Sequence, residues 1–192
     1  YFPEVKDLIN LKDHKIKLSY KKNNFSAKGN GKIKIQEKLD EIDYLITKKG
    51  KDFNFVSNIF LSELNIKNQI FIKKFFPNIK GTIDLNDHKI KIKFNKNNLS
   101  FDGKGKIKLD KEFDKISYYV SKNGNDFEFD TNLNLDKTLL KIDNLNFKKD
   151  NKSKAQVFIL GNYKINRDLT FNKVSILSKD NRILLRNLLL DK

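Results

Sequence analysis

The chain contains no cysteine, no methionine and no tryptophan, and only 8 glycines and 2 prolines among 192 residues. Without cysteine there is no disulfide framework, no thiolate nucleophile, no iron–sulfur cluster and no cysteine-ligated zinc. A chain without methionine is expected to be a piece of a longer polypeptide whose targeting signals and membrane anchors lie elsewhere. Long hydrophobic runs are missing too. Ile183-Leu184-Leu185 and Leu188-Leu189-Leu190 are broken by Arg186 and Asn187, far short of the roughly 18 apolar residues that a membrane-spanning helix needs. Arginine is confined to Arg167, Arg182 and Arg186 within 40 basic residues. Specific readers of nucleic acid rely on the planar guanidinium fork, so no specific nucleic-acid partner is expected.

What is present is lysine, asparagine and isoleucine. The net charge is +16, with 38% hydrophobic and 33% charged residues. The bias matches what an AT-rich genome imposes on any surface, and the low apolar share suits a structure buried on one side. Nonspecific polyanion binding is the least favoured of three functional readings, and it would require an affinity that falls steeply with salt.

The sequence repeats itself. Ile9–Leu61 aligns without gaps on Ile83–Leu135, an offset of 74 residues that carries His14 onto His88, with about half of the positions identical. INLKDHKIKLSYKKNNFSAKGNGKIKI answers to IDLNDHKIKIKFNKNNLSFDGKGKIKL, and the match continues through Asp40/Asp114, Tyr44/Tyr118, Gly50/Gly124 and Phe55/Phe129. IKNQIFIKKFF and LLKIDNLNFKK match after a small shift. The organisation expected is one continuous fragment over 1–192: repeat 1 at about 8–78, repeat 2 at about 82–150, and a partial third unit at about 155–192.

Within each repeat the apolar period is two. Ile16, Leu18 and Tyr20 alternate with lysine and serine, as do Ile90, Ile92 and Phe94, so successive side chains go to opposite faces of a strand. Phe25, Ala27, Gly29, Gly31, Ile33 and Ile35 continue the pattern, and Leu99, Phe101, Gly103, Gly105, Ile107 and Leu109 repeat it. Lys22-Asn23-Asn24, Lys96-Asn97-Asn98 and the Asn123-Gly124 dipeptide read as hairpin turns. Further strands are expected at 42–47, 52–61, 116–121, 126–135, 139–147, 155–165, 169–177 and 183–189. Asn181–Leu190 has a spacing that a helix could also use, and strand is favoured. The fold class predicted is all-β: a long antiparallel, strongly twisted sheet with internal repeats, one face apolar as an open groove or taco-like sheet, and little or no helix.

No catalytic constellation emerges. His14 and His88 each follow an aspartate, which suggests an orienter and a base, yet they sit in separate copies and the dipeptide reads as turn chemistry before a strand. The glycine pairs fall on an apolar strand face and read as a bulge or bend. No phosphate loop or Rossmann fingerprint follows them. Asp40, Glu41, Glu112 and Asp114 lie among lysines and read as solvated. No catalytic residue, metal site or cofactor is assigned.

A repeated one-sided sheet has to hide its apolar face, at roughly 25 cal/mol per Å². It can close into a sandwich, as a structural or adhesion module, or hold lipid chains in a groove that lengthens with the number of repeats. GTIDLNDHKIKIKF, FDGKGKIKLD, NDFEFDTNLNL, LLKIDNLNFKK, VFILGNYKI and FNKVSILSKDNRILLRNLLLDK together resemble the AsmA-like family of Gram-negative bacteria, in particular its long YhdP-like members. The resemblance covers essentially the whole chain and lies in texture rather than in an invariant signature. It implies a periplasmic β-groove rod in an inner-membrane-anchored protein, serving outer-membrane biogenesis by lipid transport between the two membranes, with phospholipids as partners and no enzymatic activity. The positions that match the groove-facing pattern are Ile16, Leu18, Phe25, Ile33, Ile35, Phe53 and Phe55 in the first copy. In the second they are Ile90, Ile92, Phe94, Leu99, Phe101, Ile107, Leu109, Phe127 and Phe129.

Overall fold

A computed structural model describes residues 10–67, 73, 75–79, 81–164, 169–179 and 181–190. The strands are β1 (Asn10–Lys21), β2 (Asn24–Lys34), β3 (Leu39–Lys49), β4 (Asp52–Lys67), β5 (Thr82–Asn95), β6 (Asn98–Lys108) and β7 (Phe113–Asn123). They continue as β8 (Asp126–Leu135), β9 (Leu140–Ile142), β10 (Phe147–Lys149), β11 (Ala155–Lys164), β12 (Leu169–Ser178) and β13 (Asn181–Leu190). Eleven of them form one antiparallel meander in the order β1-β2-β3-β4-β5-β6-β7-β8-β11-β12-β13. The sheet does not close into a barrel: among the described residues β1 pairs with β2 and β13 with β12, each on one side.

The repeat is architectural. Strands β1–β4 and β5–β8 are equivalent at the 74-residue offset, and β11–β13 begin a third unit in the same up-and-down order. Asn181–Leu190 is a strand, paired with β12 from Ser178↔Asn181 to Leu169↔Leu190. Its alternating Ile183 and Leu185 lie opposite Ile176 and Val174.

The sheet has two ends of different character. At the tip end the hairpins turn on two residues, as the pairs Lys21↔Asn24, Lys49↔Asp52, Asn95↔Asn98 and Asn123↔Asp126 require. Lys22 and Asn23 both have positive φ (41° and 63°), the conformation of a type I′ turn, whose twist matches that of the strands. In the β7–β8 hairpin the turning residues are Gly124 and Asn125, one position beyond the expected Asn123-Gly124, because Asn123 is still paired. At the base end, units are joined by two long connections, one between β4 and β5 and one between β8 and β11.

The second connection corrects one expectation. Residues 139–147 do not form a single strand: β9 and β10 pair as a small hairpin around a 3₁₀ turn at Asp143–Leu145, with Asn146 in the left-handed region. Leu140 and Phe147 of this hairpin, together with Ile79 of the first connection, pack on Ile83, Leu85, Ile107, Leu109, Leu133, Leu135, Val157 and Ile176. The two connections also touch, Lys141 N–H donating to the Phe75 carbonyl at 2.9 Å. They form a partial second layer over the base half of one face, and that is where the larger core lies. A smaller core of Ile33, Ile42, Ile59 and Leu61 continues it into the first unit.

Candidate functional site: the apolar face

Cross-strand pairing shows which side chains share this face. One row across the sheet reads Ile16, Gly29, Tyr44, Ser57, Ile92, Phe101, Val120, Phe129, Gly161, Phe171, Leu188. The next row toward the tips carries Leu18, Ala27, Ile46, Phe55, Phe94, Leu99, Lys122, Phe127, Tyr163 and Leu169. The groove residues expected from sequence that lie within strands fall on this face, and Ile35 and Leu109 follow β2 and β6 on the same alternation.

Their exposure differs with height on the sheet. Ile33, Ile107 and Leu109 are buried in the base core and present no free surface. Phe25, Ile35, Phe55, Ile90, Ile92, Phe94, Leu99, Phe101, Phe127 and Phe129 are half-buried. Ile16 and Leu18 on the edge strand β1, and Phe53 beside a tip, are exposed, Leu18 at 66%. Among the described residues the tip half of the face is therefore largely apolar and without a second layer, and it is rich in aromatic contacts. Phe53 meets Phe94 with ring centroids 6.0 Å apart, Phe127 meets Tyr163 at 6.2 Å, and Phe129 meets Phe171 edge-on at 6.1 Å.

Glycine has a distinct use on this face. A Cβ at Gly29 would collide with the ring of Tyr44, one at Gly103 with Tyr118, and one at Gly161 with Phe129. In each case an aromatic ring lies across the bare backbone of the neighbouring strand, which lets bulky rings pack in a flat layer.

The histidines occupy a different place from the one expected. Asp13-His14 and Asp87-His88 lie inside β1 and β5, not in turns before them, and each forms a β-bulge opposite a glycine. Asp13 and Asp87 take the positive φ (56° and 53°) that the bulge demands. His88 is 1% exposed and lies against Gly105. Its Nε2–H donates to the Lys106 carbonyl (2.9 Å), so Nδ1 carries the lone pair that accepts the Tyr118 hydroxyl at 3.3 Å. Burial lowers the His88 pKa and raises that of Tyr118. His14 repeats the set with Lys32 (3.0 Å) and Tyr44 (3.2 Å), half-buried near the open edge. Asp87 points outward to Lys106 Nζ at 2.7 Å. Both ring nitrogens of each histidine are thus occupied by internal partners, and the aspartate does not orient the ring.

The carboxylates at the base also differ from expectation. Asp40 and Asp114 are buried, not solvated. Asp40 accepts the Ser62 N–H at 2.7 Å and its hydroxyl at 2.6 Å. Asp114 accepts N–H groups from Asp136 (2.7 Å), Lys137 (2.9 Å) and Thr138 (3.0 Å). Asp114 therefore fixes the point where β8 enters its connection, whereas Asp40 holds Ser62 inside β4, just past the last residue that pairs with β3. Beneath this site Lys149 is buried, its Nζ donating to the Thr138 carbonyl at 2.8 Å. Burial lowers its pKa, against the opposing pull of Asp114, Asp136 and Asp150.

No family model, curated protein or solved structure matches the chain. Among the described residues no helix is long and apolar enough to cross a membrane, and no group of three or more His, Asp or Glu side chains is placed to hold a metal ion. The opposite face carries alternating lysines such as Lys15, Lys17, Lys28, Lys32, Lys89, Lys91 and Lys104. It also holds Phe60 and Phe158, each under a lysine ammonium, Lys89 at 5.8 Å and Lys173 at 5.4 Å.

Proposed function

We propose that the chain is a segment of an AsmA-like, YhdP-like bridge protein that carries phospholipid acyl chains along its apolar face, in a periplasmic, inner-membrane-anchored parent. The observation that carries this reading is the apolar face, whose rows of side chains cross the eleven-stranded sheet and which, among the described residues, carries no second layer toward the tips. A side chain such as Leu18 left in water forgoes the stabilisation of burial, of order 1.5–3 kcal/mol for a residue of this kind, and acyl chains lying across the strands would supply it. Among the described residues β1 and β13 are each paired on one side, which would let further units extend the same face. The alternative of a closed sandwich needs a second apolar sheet, whereas among the described residues the layer opposite this face is a two-stranded hairpin plus the 75–79 segment.

The test is lipid extraction and mass spectrometry of the purified chain, with photo-crosslinking from Phe101 and Ile92. Co-purifying phospholipid crosslinked at those positions is the expected result. A chain free of lipid that also fails to load acyl chains from vesicles would sink the reading.

A further inference from the structure

The first strands of the two complete units have different surroundings. β5 lies between β4 and β6, whereas among the described residues β1 is paired with β2 alone. Equivalent side chains record the difference. Leu85 is 9% exposed and Leu11 is 57% exposed. His88 is buried and His14 half-buried; Ile90, Ile92 and Phe94 are half-buried, whereas Ile16, Leu18 and Tyr20 are exposed. The strand alongside the β5 set is β4, whose Leu64, Leu61, Ile59, Ser57 and Phe55 stand opposite Leu85, His88, Ile90, Ile92 and Phe94 in turn.

β4 is one of two strands of a common type. At the 74-residue offset β8 answers to it, with Phe129, Thr131, Leu133 and Leu135 in the places of Phe55, Ser57, Ile59 and Leu61, and β8 lies against β11 as β4 lies against β5. These fourth strands share a second property: residues 52–66 and the whole of β8 contain no lysine or arginine, in a chain that has 40. Their neighbours are the opposite. β5 sets Lys89 and Lys91 against Phe60 and Asn58, with the Lys89 ammonium 5.8 Å from the centre of the Phe60 ring. β1 carries Lys15 and Lys17 at the equivalent outward positions. Like charges directly opposite on adjacent strands repel, so this lysine row admits a neighbour without lysines and disfavours one that has them. The sequence ahead of β1 is not of the fourth-strand type: Tyr1-Phe2-Pro3 and Val5 answer to Phe75-Phe76-Pro77 and Ile79, in the connection before β5, at the same offset.

We propose that the edge of β1 facing away from β2 is a docking surface for a fourth strand from another unit of this repeat, paired antiparallel in the register that β4 takes on β5. The strand it recognises carries Phe, then Ser or Thr, then Ile or Leu, then Leu at every second residue on the apolar face, and no lysine or arginine between them. Main-chain pairing supplies the attachment, and the alternate side chains supply the register and the specificity. A second copy of this chain does not fit. Its β4 and β8 are paired on both sides, and two β1 edges joined with their apolar faces level would bring their lysine rows together. The inference goes beyond the lipid-carrying reading and does not rest on it.

The experiment titrates the full chain into a fluorescein-labelled peptide with the sequence of residues 52–66, reads anisotropy, and locates the contact by hydrogen exchange. A second peptide carries Asn58→Lys and Phe60→Lys, the positions that would face Lys17 and Lys15. The chain variants are I16D/L18D on β1 and L189D on β13, all exposed positions, with circular dichroism as the check on folding. We expect the first peptide to bind and to protect the amides of β1, the lysine-bearing peptide to bind roughly tenfold more weakly, I16D/L18D to lose the binding and L189D to keep it. No binding of the first peptide, equal binding of the two peptides, or protection confined to β13 overturns the proposal. A dimer of the chain alone in sedimentation, dissolved by I16D/L18D, overturns it as well, because the edge then takes a second copy. Lipid loading is measured separately, so failure here leaves the acyl-chain reading standing, and failure of that reading leaves this one.

Discussion

The imidazole of His88 occupies the space that a side chain at Gly105 would need. The bulge at Asp87-His88 turns the ring onto the apolar face, and the missing Cβ opposite lets it lie flat. Gly105→Ala is therefore expected to force the ring off the Lys106 carbonyl, at a cost of about 1–3 kcal/mol for an overpacked site. Gly31→Ala meets His14 in the same way, but that ring is half-buried on an edge strand and can swing outward, so its cost is smaller. Urea unfolding midpoints of the two variants check the order, and equal losses would contradict it.

The same histidine makes stability depend on pH. Burial lowers the folded-state pKa of His88 below the ordinary 6.5. Above 6.5 both states hold it neutral, and its contribution is complete. As the pH falls below 6.5 the unfolded chain binds a proton that the folded chain resists, so stability is lost progressively toward the folded pKa. Wild type should lose more of its urea midpoint between pH 7.5 and pH 5.5 than His88→Gln, which has no titrating ring. Parallel losses would show that other groups govern the acid limb.

Most of the sheet is legible in the sequence because both of its signals are local. Apolar side chains at every second residue define one face, and short Asn- and Gly-bearing tips define the hairpins. The bulge also leaves a trace: Leu11, His14, Ile16 and Leu18 face one side, and the interval of three between Leu11 and His14 breaks the period of two. Reading Asp-His as a turn overlooked that odd interval. The burial of Asp114 is not legible, because the N–H groups that satisfy it arrive 22 to 24 residues later, from Asp136 to Thr138. Nor does alternation alone separate Ile107, buried in the base core, from Phe101, which is only half-buried. What covers a face is decided by long-range packing, and the period of two is blind to it.

Asp114 leads to a third prediction. Asp114→Ala strands three N–H donors where β8 enters its connection, a loss on the order of 3 kcal/mol for buried charged hydrogen bonds. Asp40→Ala strands the donors of Ser62 alone, whose hydroxyl can turn elsewhere, and should cost less. Hydrogen exchange locates the effect: in Asp114→Ala the amides of 136–138 should lose protection first. Retained protection there would mean that another group holds the strand end.

A last pair of phenylalanines separates the covered half of the face from the open half. Phe147 is 8% exposed and anchors the β9–β10 hairpin on the base core, whereas Phe53 is 41% exposed beside a tip. If the base half is the structural core, Phe147→Ala should cost about 3–5 kcal/mol, as for a large aromatic removed from a packed interior. Phe53→Ala removes a ring that water already reaches and should cost about 1 kcal/mol or less, through loss of its contact with Phe94. The converse holds for lipid: Phe53 lies where acyl chains would cross, so its variant should carry less bound lipid at nearly unchanged stability. Urea midpoints and bound-lipid mass spectrometry on the same preparations decide the matter. A large stability loss in Phe53→Ala would place the tip aromatics in the core and leave no apolar surface for a lipid to occupy.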